Sequence, residues 1–151
     1  KDFLGTYDSK VNTGVVGGVI PDDITLYSSK EIDKAKMVWD NDEEKSYDSI
    51  YVLSALKGKD KYTVFFGGNH SVTDIKTDNN TGKTLLLIKD SFAHSLAPFL
   101  IKDYDRIIML DLRYFNKSLK KYIDENKITD LLVLYSTPDF AEDANIGRLL
   151  R

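Results

Sequence analysis

Ser91 is the residue whose type and setting best suit chemistry. It follows the apolar run Thr84-Leu85-Leu86-Leu87-Ile88 after Lys89-Asp90, and it opens a segment in which Phe92, Leu96, Phe99 and Leu100 fall at i, i+4, i+7 and i+8. That spacing predicts an amphipathic helix. A serine between a buried strand and a helix N-terminus sits where unpaired N–H groups and the positive end of the helix dipole stabilise an alkoxide or an oxyanion. Asp90 and Ser91 are also common capping residues, and capping alone accounts for them.

A serine nucleophile needs a base, and the chain holds two imidazoles, His70 and His94. His94, three residues after Ser91, is badly placed to reach the hydroxyl while also being oriented by an acid, which makes it a surface or packing residue. His70 ends Gly67-Gly68-Asn69-His70; a loop there brings Asn69 and His70 toward a site, or its glycines serve only a tight turn. Arg113 and Tyr135, near the ends of two further apolar runs, suit an anionic or sugar group, although Arg113 paired with Asp111 needs no ligand. Two other motifs carry less. Gly14-Val15-Val16-Gly17-Gly18 lacks the Lys-Ser/Thr of a phosphate loop, and Asp40-Asn41-Asp42-Glu43-Glu44 lacks the glycine and terminal glutamate of a calcium loop.

The elements that must position these residues are clearest after residue 78. Asp78-Asn79-Asn80-Thr81-Gly82 reads as a turn and Thr84–Ile88 as a strand buried on both faces. The Phe92 stripe reads as a helix, Arg106–Leu110 as a second strand, the Phe115-Leu119-Tyr122-Ile123 stripe as a second helix and Asp130–Tyr135 as a third strand. Strand–helix–strand–helix–strand over 79–151 predicts a parallel sheet, whose ligands bind beyond the carboxyl ends of the strands. Residues 1–78 read as irregular and β-rich, with strand-like Ile24–Tyr27 and Tyr62–Phe66 and one short helix over Tyr47–Leu56.

Composition bounds the rest. The chain has 151 residues, net charge −3, 42% hydrophobic and 30% charged residues, which suits one folded domain. With no cysteine, disulfides, thiolate metal sites and cysteine nucleophiles are excluded, and no cofactor or metal is expected. Acidic and basic residues are interspersed without a basic stripe, which argues against nucleic acid. No apolar run reaches the roughly 20 residues of a membrane helix. A start at Lys1 rather than Met is expected of a piece of a longer protein.

Lys89-Asp90-Ser91-Phe92-Ala93-His94-Ser95-Leu96-Ala97-Pro98-Phe99-Leu100 resembles the C-terminal segment of the bacterial DHHW family, relatives of the SGNH-hydrolase-like acetyltransferases that modify alginate. The resemblance extends through Phe3-Leu4-Gly5-Thr6, Tyr62–His70, Asp111-Leu112-Arg113-Tyr114 and Ile128–Tyr135. It implies an SGNH/flavodoxin-like three-layer α/β fold with a mainly parallel sheet, the whole chain forming the C-terminal part of a longer SGNH-like protein. It further implies Ser91 as nucleophile, with the triad's Asp and His upstream in an Asp-His-His-Trp motif. No such motif occurs here, and Trp39, the one tryptophan, stands in Val38-Trp39-Asp40.

The expectation is a fragment of a serine-dependent esterase or O-acetyltransferase, inactive alone and, in the whole protein, extracytoplasmic at the cell surface. Its expected substrate is a polysaccharide and its expected partner a membrane-bound acyltransferase. Asp90, Asn69, His70, Arg113 and Tyr135 are its substrate-binding or oxyanion candidates. The alternative is a non-catalytic carbohydrate-binding or assembly module in which Ser91 is only a cap.

Overall fold

The computed structural model describes Phe3, Gly5, residues 20–40, Asp42 and residues 45–150. The Gly14–Gly18 motif and three of the five residues of the Asp40–Glu44 run lie outside them. The six strands are β1 Lys36–Trp39, β2 Ser46–Tyr47, β3 Val72–Lys76, β4 Thr84–Lys89, β5 Arg106–Leu110 and β6 Asp130–Leu134. They form one sheet in the order β2-β1-β3-β5-β4-β6. Among the described residues four short helices accompany them, α1 Lys30–Lys34, α2 Ala97–Leu100, α3 Leu119–Glu125 and α4 Thr137–Glu142, together with several 3-10 turns.

The expected parallel unit is present: β4 pairs parallel with both β5 and β6. The sheet as a whole is mixed rather than mainly parallel, because β1 pairs antiparallel with β2 and β3, and β3 antiparallel with β5. The described residues of the first half of the chain supply three strands and no long crossover helix, and strands without such a crossover pair in opposite senses.

The apolar runs of β4 and β5 are covered on both faces. Leu85, Leu87, Ile107 and Met109 enter one core with Met37, Ile50, Phe66, Ala93 and Ile101. Leu86, Ile88, Ile108 and Leu110 enter the other with Phe115, Leu119 and Tyr122. Sheet and two flanking layers thus give the three-layer arrangement, and each fully buried leucine contributes roughly 1.5–3 kcal/mol. β6, the expected third strand, is covered on one face only. It is the edge strand, with Leu132 and Leu134 packed on the first core and Leu131 left 57% exposed.

Other local expectations fail for identifiable reasons. Tyr62–Phe66 is not a strand. Lys61–Val64 form a 3-10 turn, and Phe66 N–H donates to Ile50 C=O at 2.9 Å, leaving a single antiparallel bridge between Tyr51 and Phe65. Ile24–Tyr27 has no ladder partner and is irregular. The helix expected over Tyr47–Leu56 is the end of β2, that bridge, and a 3-10 turn at Leu53–Lys57 whose apolar residues Leu53 and Leu56 are exposed. The Phe92 stripe is likewise no buried face. Residues Ser91–His94 form a 3-10 turn, Pro98 stands in the first turn of α2, and the buried side carries Ala93, Ala97 and Ile101, leaving Phe92 62% exposed. The Phe115–Ile123 stripe does pack inward, through Phe115, Leu119 and Tyr122.

Candidate functional site

β4 delivers Ser91 to the carboxyl end of the sheet, and Asp90 fixes it there. One Asp90 oxygen accepts from Phe92 N–H at 2.9 Å and the other from Ser136 N–H at 2.7 Å, so this buried carboxylate ties the serine turn to the start of α4. Tyr62 adds a third tie by donating its hydroxyl to the Ser91 carbonyl at 3.1 Å. Both Asp90 oxygens being engaged, its role here is to hold the turn. The Ser91 hydroxyl makes no hydrogen bond among the described residues, and the residue is half-buried. A four-residue 3-10 turn has little macrodipole, and its Phe92 N–H is already bound to Asp90. This corrects the expectation of a helix-borne oxyanion hole.

The histidines lie apart from Ser91 in role. His94 is 1% exposed, with Nε2 2.8 Å from the Lys89 ammonium. Lys89 can only donate, so His94 Nε2 is the acceptor and Nδ1 carries the proton. Burial and the adjacent Lys89 charge push its pKa down to about 2. His70 stacks on Trp39 at 4.2 Å with Nδ1 3.9 Å from Asp40, and burial holds its pKa below the ordinary value. Asp40 is in turn occupied by the Ser71 hydroxyl at 2.7 Å and Ser71 N–H at 3.0 Å. Each ring thus has its neighbours elsewhere, and neither histidine is hydrogen-bonded to Ser91.

The remaining candidates share the same end of the sheet. The register Val72↔Leu110 sets the Gly67–Ser71 loop beside the end of β5, with Asp111 N–H donating to Ser71 C=O at 3.1 Å. In that loop the exposed Asn69 accepts from Lys89 Nζ at 3.1 Å. Arg113 lays its fork on the buried Asp111 at 2.9 and 2.7 Å, which raises the guanidinium pKa further, and its Nη1 lies 4.0 Å from Asp139. Tyr135 is half-buried, its hydroxyl has no hydrogen-bond partner among the described residues, and burial raises its pKa. A cleft of about 320 Å³ opens beside them, lined by Arg113, Asp139, Glu142, Asp143, Ala144 and Asn145. Burial and the proximity of Asp90 raise the Asp139 pKa. Among the described residues no group of three or more His, Asp or Glu side chains could hold a metal ion.

Sequence reasoning missed the centre of this arrangement. Lys89, 1% exposed, meets Asn69, His94 and, at 3.5 Å, Asp111. The signal was present as a lysine closing an otherwise apolar, doubly buried strand. Such a position holds an ammonium only when partners are supplied.

A mixed sheet between two cores, with a serine turn at the carboxyl end of its parallel strands, defines a three-layer α/β protein. The DHHW protein family matches residues 1–110, and the chain belongs to that family. A DHHW family protein from Eubacterium siraeum has a similar structure: TM-score 0.71 and 28% identity over 87% of this chain and 44% of that one. Two structures of Bacillus cereus PatB1 are also similar. The one with a sulfonyl adduct has TM-score 0.58 and 24% identity over 74% of this chain and 39% of its own. The other has TM-score 0.58 and 25% identity over 74% and 38%. The chain thus spans less than half the length of each of these structures. No curated protein matches it.

Proposed function

We propose that the chain carries the serine and the oxyanion-binding side of a serine-dependent esterase or O-acetyltransferase acting on a cell-surface polysaccharide. The observation that carries this reading is the Ser91 hydroxyl, without a hydrogen bond among the described residues and half-buried at the carboxyl end of β4, in a turn tied down by Asp90, Ser136 and Tyr62. A cap needs its oxygen on a backbone N–H, and here Asp90 is the cap, so Ser91 is free of that duty. In this reading Asn69 is the side-chain donor that receives the oxyanion, its loop lying at the same end of the sheet as Ser91. Its Oδ1 faces an ammonium, so its two Nδ2 hydrogens are turned away from Lys89.

The general base in this reading is the histidine of the family's Asp-His-His-Trp motif, a sequence that these 151 residues do not contain. Acylation proceeds by attack of Ser91 Oγ on the acyl carbonyl while the base takes the hydroxyl proton. Loss of the leaving group gives acyl-Ser91, and a glycan hydroxyl or water releases it. Arg113 and Tyr135 line the glycan side, and a membrane-bound acyltransferase at the cell envelope supplies the acyl group. The sulfonyl adduct of PatB1 supports the reading, since sulfonylation is a reaction of activated nucleophiles.

The test is fluorophosphonate labelling, located by peptide mass, on this chain and on a DHHW family chain that contains Asp-His-His-Trp. Labelling at the serine aligned with Ser91 in the motif-bearing chain alone is expected, and Ser→Ala there abolishes it. Labelling of neither overturns the catalytic reading and favours a carbohydrate-binding module using the Arg113 cleft. Labelling of both overturns the assignment of the base.

A further inference from the structure

We propose that Lys89 is the positioning residue of the serine site: its buried ammonium fixes the Asn69 amide so that the Nδ2 hydrogens face outward at the sheet end that bears Ser91. The inference rests on the reading of Ser91 and Asn69 above and goes beyond it by assigning a residue in the strand core.

The geometry is over-determined. An ammonium has three donors, and three acceptors surround Lys89 Nζ: His94 Nε2 at 2.8 Å, Asn69 Oδ1 at 3.1 Å and Asp111 Oδ2 at 3.5 Å. Two of these acceptors do not explain the lysine. Asp111 already holds the complete Arg113 fork, at 2.9 and 2.7 Å, and Arg113 N–H at 3.1 Å, so its charge is neutralised without Lys89. His94 is neutral and buried, and a neutral ring against an apolar side chain would cost less than a desolvated ammonium. Asn69 is the one partner at the surface, and only there does the lysine's hydrogen bond reach solvent-facing chemistry.

Asn69 also needs such an anchor. It follows three consecutive residues with positive φ, Phe66 at 58°, Gly67 at 74° and Gly68 at 100°, a backbone that holds its shape only when the surroundings impose it. Lys89 reaches the loop from inside, while the His70–Trp39 stack pins the residue after it. Lysine length matters. The side chain starts in β4, whose preceding inward residues Leu85 and Leu87 lie in the first core, and ends at the loop that leads into β3, beyond the intervening β5.

The experiment begins with the Asn69 side-chain amide in ¹⁵N NMR of this chain, identified by its loss in Asn69→Ala. A pair displaced from the exposed-amide region is expected, returning to that region in Lys89→Met and staying displaced in Lys89→Gln, which keeps a donor without the charge. Because Arg113 still neutralises Asp111, Lys89→Met leaves no buried charge unpaired. Should it nevertheless unfold, Lys89→Gln and Asn69→Ala carry the comparison. The second readout is fluorophosphonate labelling of the aligned serine in the motif-bearing chain. The Lys→Met and Asn→Ala variants at the aligned positions are each expected to slow it by a similar factor, on the order of 10²-fold, as for removal of one oxyanion donor. The double variant is expected to be no slower than Asn→Ala alone. An Asn69 amide unmoved by Lys89→Met, or a double variant whose slowing multiplies, overturns the proposal. A displaced amide with an unlabelled wild-type serine overturns the catalytic reading while leaving the Lys89–Asn69 coupling established.

Discussion

Gly67→Ala tests how the loop bearing Asn69 and His70 is built. Gly67 has φ +74°, and a Cβ placed there would lie 2.1 Å from Trp39 Cζ2 and 2.6 Å from Cη2. The indole cannot yield easily, because Tyr47 and His70 lie against it with ring centroids at 4.1 and 4.2 Å. Left-handed backbone costs alanine about 1–2 kcal/mol, and forcing carbon into a packed site adds about 1–3 kcal/mol. Gly82→Ala is the control: its φ is +72°, but nothing lies within 4 Å of its Cβ, so it carries the backbone cost alone. Urea unfolding of both variants should therefore show Gly67→Ala less stable than Gly82→Ala by about 1–3 kcal/mol. Trp39→Leu in the Gly67→Ala background should cost less than in wild type, because it removes the obstructing ring. Equal losses in the two glycine variants, or additive losses with Trp39→Leu, would refute the clash and with it the idea that Trp39 shapes this loop.

Two further perturbations probe the buried polar groups. His94 stays neutral in the folded protein, its pKa pushed down to about 2 from 6.5, whereas the unfolded chain takes up the proton near 6.5. Protons thus favour the unfolded state, and stability falls as pH drops below 6.5, by about 2 kcal/mol from this group between pH 7.5 and 5. Urea titrations at those two values should show the loss in wild type and about 2 kcal/mol less of it in His94→Phe; parallel behaviour would refute a neutral, buried His94. On the opposite face, Asp74 is buried and takes the Arg106 fork at 2.9 and 2.8 Å across β3 and β5. Asp74→Ala strands the guanidinium and should cost about 2–4 kcal/mol in urea unfolding, with little dependence on salt; a loss below about 0.5 kcal/mol would mark the pair as a surface one.

The legible part of this protein was the part dominated by local pattern. Leu85–Ile88 and Ile107–Leu110 are unbroken apolar runs, and their burial on both faces follows from hydrophobicity alone. The first half was harder to read. Met37 and Ile75 sit in four- and five-residue strands held by pairing with distant partners. The Phe92 stripe misled for a related reason: helical spacing says which residues share a face, and Pro98 with the packing of Ala93 and Ala97 decided that the other face turns inward.

The sequence by itself determined the three strands of the second half, the position of Ser91 after the central parallel strand, and family membership, because each rests on residue types within short contiguous segments read in order along the chain. Tertiary structure alone decided that β1–β3 run antiparallel, that β6 is an edge, and that Asp90 rather than Ser91 is the cap. It also decided that His94 faces Lys89, and that Lys89 joins Asn69 to Asp111. The last of these depends on which buried charge finds which partner across 20 or more residues of chain. The cost of leaving an ammonium or carboxylate unpaired in a core makes such pairings obligatory once the strands meet, but nothing in the spacing of Asn69, Lys89 and Asp111 announces them beforehand.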